Sequence, residues 1–133
     1  EMEALRQAVQ GAFDGCGVTI PAPAWYPEGT ELASDIKETK DDESTAVGCE
    51  FICNDKSFNI MVQQYLKETR VSIHTFEKDA SRVEEYTSNG RLFYIMSNLS
   101  INRAVYSDEQ TVMAINGTLS LEDMKKIIDS IGE

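Results

Sequence analysis

The chain has 133 residues, 41% of them hydrophobic, with a net charge of −11 and a sequence pI near 4.5. That length fits a single domain spanning 1–133, which buries roughly two thirds of its unfolded surface without needing a disulfide or a metal. The acidic balance disfavours nucleic acid and anionic membranes as partners, and no apolar run approaches the ~20 residues of a membrane-spanning helix.

The first segment, "EMEALRQAVQGAF", reads as a helix because Met2, Leu5, Val9 and Phe13 recur at helical spacing. Gly15 or Gly17 ends it, and residues 1–20 form the N-terminal helix and its connection. Pro21, Pro23 and Pro27 then forbid helix and impose an extended path through "PAPAWYPEG". Pro27 and Gly29 set a turn, which places Trp25 and Tyr26 where they can cover an end of a sheet or line a ligand site.

From Thr30 the pattern has period two. "TELASDIKETK" reads as one polar strand, and "DDES" as a turn. "TAVGCEFIC" puts Val47, Cys49, Phe51 and Cys53 on one face. "FNIMVQQYL" puts Phe58, Ile60 and Val62 on one face, and Met61 and Tyr65 on the other. "RVSIHTFEKDA" reads as a short strand or a short helix. Asn89-Gly90 supplies the positive φ angles of a tight hairpin, and a second hairpin turns at Ser107 to Gln110. Four successive strands are thus expected from about Arg82 to Asn116. The ending "LSLEDMKKIIDSIGE" reads as a capped helix with Ser120 at its start, Leu119 and Met124 as a staple, and Gly132 as its stop. The fold class is α+β: one antiparallel sheet of about six to seven strands, meander-like, with N- and C-terminal helices packed on one face; residues 21–133 hold the sheet and the C-terminal helix.

Chemistry-bearing motifs are scarce. No dinucleotide or phosphate loop, nucleophile elbow or zinc-protease signature occurs. His74 is the single histidine, and an enzyme reading rests on it and on scattered carboxylates. Cys16, Cys49 and Cys53 are an odd number, and Cys49 and Cys53 on one strand lie about 13 Å apart, too far to bridge. Cys16 could reach either of them; all three are expected as buried small hydrophobes, and no metal or other cofactor is expected. The sharper hint is that the strands are apolar on both faces, with Tyr94 and Met96 set against Phe93 and Ile95. A second apolar face either is covered by loop segments such as "VTIPAPAWY" or is free to take a peptide, lipid or protein partner, or a homodimer, with Trp25, Tyr26, Met61, Tyr65, Tyr94 and Tyr106 as the ligand-binding candidates.

The order "PAPAWYPEGTEL", a meander, "SNGRLFYI" and "RAVYSDEQTVMAINGTLSLEDMKKIIDSI" resembles the bacterial family of unknown function DUF4367 over roughly Pro21 to Ile131. Ile115 to Gly117 and Leu121 to Ile131 match its closing step and terminal helix; where the family often has a Trp in the penultimate strand, this chain has Val105-Tyr106. The resemblance implies an extracytoplasmic, non-catalytic module of an envelope protein in a sensing or regulatory role, carried behind a membrane anchor. A chain opening on Glu1 is compatible with such an anchor upstream.

Overall fold

The computed structural model describes residues 2–67 and 82–132. Helix α1 (Met2–Gly15) is followed by strands β1 (Thr30–Leu32), β2 (Lys37–Lys40), β3 (Ser44–Cys53) and β4 (Lys56–Tyr65). Strands β5 (Arg82–Ser88), β6 (Arg91–Asn98), β7 (Ile101–Ser107) and β8 (Thr111–Gly117) and helix α2 (Leu121–Asp129) complete the order. All strands join one antiparallel sheet, in the order β1-β3-β4-β8-β7-β6-β5, with β2 also paired to β3. The α+β class with a helix from each chain end is as the sequence predicts. The expected strand or short helix in "RVSIHTFEKDA", and His74 with it, lies outside the described residues.

Two details differ from the expected meander. The polar strand is two short strands on the same edge of β3. Leu32 pairs with Phe51 and Lys37 with Gly48, so five steps along one chain oppose three along the other, and the two extra residues loop out between them. The sheet also closes non-locally. β4 takes its second neighbour from β8, with Ile60 opposite Ile115, and not from the next strand in sequence. Two local meanders therefore meet along a central seam.

The core lies between the helices and one sheet face. Leu5, Val9 and Phe13 of α1 and Met124, Ile127 and Ile128 of α2 are buried against Val47, Phe51, Phe58, Ile60, Phe93 and Ile115. Each such side chain contributes roughly 1.5–3 kcal/mol by leaving water. α2 starts as its sequence predicts: the Ser120 hydroxyl accepts the Asp123 N–H at 3.1 Å, and Leu119 and Met124 share the core. Its other end is tied to the β5–β6 hairpin. Tyr86 and Ser88 donate to the Asp129 carboxylate at 2.7–2.9 Å, and Lys125 pairs with Glu84 at 2.7 Å. The hairpin turn itself has φ 52° at Asn89 and 78° at Gly90, the left-handed pair its Asn-Gly sequence predicts.

The seam explains a glycine. A Cβ on Gly117 would lie 2.5 Å from the Phe58 Cα and against the Ser57 carbonyl oxygen, so β8 approaches β4 there more closely than any side chain permits.

Candidate functional site

The proline-rich link before β1 is held by its backbone. Ala24 and Trp25 each donate an N–H to the Ser130 hydroxyl at 3.0 Å, and that hydroxyl donates to the Ile127 carbonyl at 2.7 Å. Ala22 donates to the Gln10 side chain at 2.8 Å. Trp25 is half-buried, packs on the core and has the Lys126 ammonium 5.6 Å from its ring. Tyr26 is fully buried with its ring 5.4 Å from that of Phe51. Its hydroxyl has no hydrogen-bond partner, and burial pushes its pKa up from the ordinary tyrosine value. The segment Tyr26 to Glu31, with Met2 and Leu5, borders a cleft of about 280 Å3.

The thiols are all free and buried. Cys16 donates to a Glu38 carboxylate oxygen at 3.4 Å, and Cys53 to the Glu28 carbonyl at 3.3 Å. Burial pushes the Cys49 thiol up to about 12 and also raises that of Cys16, which keeps both protonated and weakly nucleophilic. Among the described residues, no group of three or more His, Cys, Asp and Glu side chains could hold a metal.

The remaining candidates divide between the two faces of the sheet. Tyr106 belongs to the helix side, 5.5 Å from Phe93, with its hydroxyl on Asp108. Met61 and Tyr94 lie on the opposite face, and strand alternation places Tyr65 there too. The six residues therefore do not converge. Trp25, Tyr26 and Tyr106 pack on the helix side, and Met61, Tyr65 and Tyr94 share the face that neither helix covers.

That face, open only in being free of the two helices, is the candidate site; its exposed apolar side chains lie around a middle where Val105, Met96 and Ala114 are already buried. Registered pairing fixes one row across it: Lys37, Gly48, Met61, Ala114, Val105, Tyr94 and Glu85, each paired with the next. Met61 is 58% exposed, Ile101 48%, Ile52 44% and Val83 40%. Met96, Val105 and Ala114 form a small second core on this face, closed by Tyr94 and Val112. Beside it, Gly48, Ala46 and Ala114 floor a depression of about 410 Å3, with Lys37 and Arg103 at its rim. A second depression of about 430 Å3 adjoins Ile52, Asn59 and Ile101.

Charge is sparse here. Among the described strand residues, the pairing places Lys37 and Arg103 on this face against Glu31, Glu50 and Glu85, a net of −1. The small-residue floor was the part the sequence reading passed over. Its signal was Gly48 in the middle of a strand, where glycine weakens the strand and marks a close approach. Among the described residues, none beyond its two chain neighbours has an atom within 4 Å of where a Gly48 Cβ would stand.

No curated protein and no solved structure matches this chain. Residues 20–131 match the family model described as a domain of unknown function, DUF4367. The match runs from the start of the proline-rich link through the seam glycine Gly117 to the end of α2, and the chain belongs to that family.

Proposed function

We propose that this domain is a non-catalytic recognition module whose open sheet face binds a protein or peptide segment in a sensing or regulatory role. The observation that carries this reading is the coincidence of exposed Ile52, Met61, Val83 and Ile101 with near-neutral charge on one face of a strongly acidic chain. Depletion of charge at an apolar patch is the compositional mark of an interface core. The depressions are partly open to the surface and lined by several strands, which suits inserted side chains of a partner better than an enclosed small molecule. The extracytoplasmic setting belongs to the same proposal and is supported by the family resemblance alone.

The five methionines report on the proposal directly. Met61 and Met96 lie on the open face, Met113 and Met124 in the helix-side core, and Met2 beside the cleft at the start of α1. Methyl-labelled protein titrated with a panel of apolar peptides should show shifts at Met61 and Met96 while Met113 and Met124 stay fixed. Shifts confined to Met2, or none across the panel, would overturn the reading. Shifts produced only by lysolipid would replace the protein partner with a lipid.

A further inference from the structure

Beside the buried middle of the open face lies a trough whose walls and floor are accessible, and we infer that it binds an extended peptide segment carrying a lysine or arginine two residues from an aliphatic one. This rests on the open face being the interaction surface.

Short side chains between longer ones make the trough. β4 and β8 supply its floor at two levels: Asn59 opposite Asn116, and then Ser57 beside Thr118. β3 raises one wall with Glu50 and Ile52, which pair with Asn59 and Ser57. β7 raises the other with Arg103, opposite Asn116, and with Ile101. The space between is the depression of about 430 Å3. Three strand spacings of ~4.8 Å put the walls ~14 Å apart, which leaves room for one extended chain running along the strands. All eight side chains are exposed or half-buried, so a partner reaches them without disturbing Met96, Val105 or Ala114.

The two levels suit different groups. At the first, no hydrogen bond to another described residue uses the Asn59 or Asn116 side chain. Each amide offers two donor hydrogens and an acceptor oxygen, the complement of a peptide C=O and N–H. At the second, the Thr118 hydroxyl is already tied to the Ser57 backbone. Ile52, 44% exposed, and Ile101, 48%, flank that level, so it accepts an apolar side chain. Charge is lopsided. Glu50 stands at the first level, and Glu31, paired with Ile52, beside the second, both exposed on the β1–β3 side. Neither has an ion-pair partner among the described residues. Arg103 on the far wall repels a cation and so directs it to Glu50. In an extended segment every second side chain points the same way, ~6.8 Å on, which is also the step from Glu50 to Ile52. A cation beside Glu50 therefore places the side chain two residues along between Ile52 and Ile101. The long-range field of a chain of −11 draws in such a segment as well.

Side-chain amide resonances read the site directly. The whole chain, isotope-labelled, is titrated with the blocked pentapeptide acetyl-Thr-Lys-Thr-Leu-Thr-amide and with two relatives, one with Glu for Lys and one with Ser for Leu. The first peptide should shift the Asn59 and Asn116 side-chain amides, and added salt should weaken its binding. Each relative should bind about fivefold more weakly. Glu50→Lys should reverse the order of the Lys and Glu peptides, and Ile52→Ser should narrow the gap between the Leu and Ser peptides. Both positions are exposed, so circular dichroism should confirm that the variants fold. Amides that stay fixed, equal binding of the Lys and Glu peptides, or an order unchanged by Glu50→Lys overturns the inference. Shifts of Met61 with the apolar panel, while the two asparagines ignore all three pentapeptides, remove this site and leave the recognition reading standing.

Discussion

Replacing Tyr26 with Phe should stabilise the domain. The hydroxyl is buried with no partner, so folding strips its water and returns no hydrogen bond, a cost of about 1–3 kcal/mol. The ring carries the favourable part of the residue's energetics through its contact with Phe51, and Phe keeps that ring. Removing one oxygen leaves a gap smaller than a methyl group, whose lost dispersion contacts offset part of the gain. The net expectation is a stabilisation of about 0.5–2 kcal/mol, or a rise in Tm of a few degrees for a domain of this size. Guanidinium unfolding followed by Trp25 fluorescence would read it as a higher midpoint at unchanged slope. A loss of more than about 1 kcal/mol would refute the reasoning, because it would mean that the hydroxyl makes a hydrogen bond in the folded protein.

Two further outcomes follow from the seam and from the thiols. Gly117→Ala should destabilise by about 1–3 kcal/mol or more, since the added methyl collides with backbone of β4 that is itself held in the ladder; a variant as stable as the parent in urea would show that the seam can open freely. Cys49, with a thiol value raised from 9.0 to about 12, contributes stability that is complete below pH 9 and is lost as pH rises toward 12, because the unfolded thiol ionises first. Cys49→Ala should flatten that alkaline loss, and an unchanged pH profile between 9 and 12 would contradict the assignment.

The elements that local chemistry specifies were legible in the sequence. Asn89-Gly90 could only serve a tight turn, Ser120 with Asp123 could only open a helix, and the alternation in Val47, Cys49 and Phe51 chose the core face. The break between β1 and β2 was not legible, because residues 33–36 carry no glycine or proline and the two extra residues emerge only when the register against β3 is known. The seam was hidden for a related reason: β4 and β8 pair across about fifty residues, and nothing local in either strand names its partner. The candidate site inherits this. Alternation shows that Met61 and Tyr94 point away from the core side of their own strands. Only the full chain of pairings places Lys37, Gly48 and Glu85 on one line with them.

The central seam also has a consequence for how the chain is made. β1 to β4 emerge from the ribosome well before β8 and can pair among themselves at once, but the outer edge of β4, with Ile60 and Val62 beside it, has no neighbour until Thr111 to Gly117 are out. For that interval the nascent protein carries an apolar strand edge ready to template a strand from another chain. Closing β8 onto β4 joins residues far apart in sequence and is a slow kind of contact to form. The fold's last strand is thus the one that removes its aggregation hazard, and a stop or stall before Thr111 leaves a half-sheet with its middle exposed.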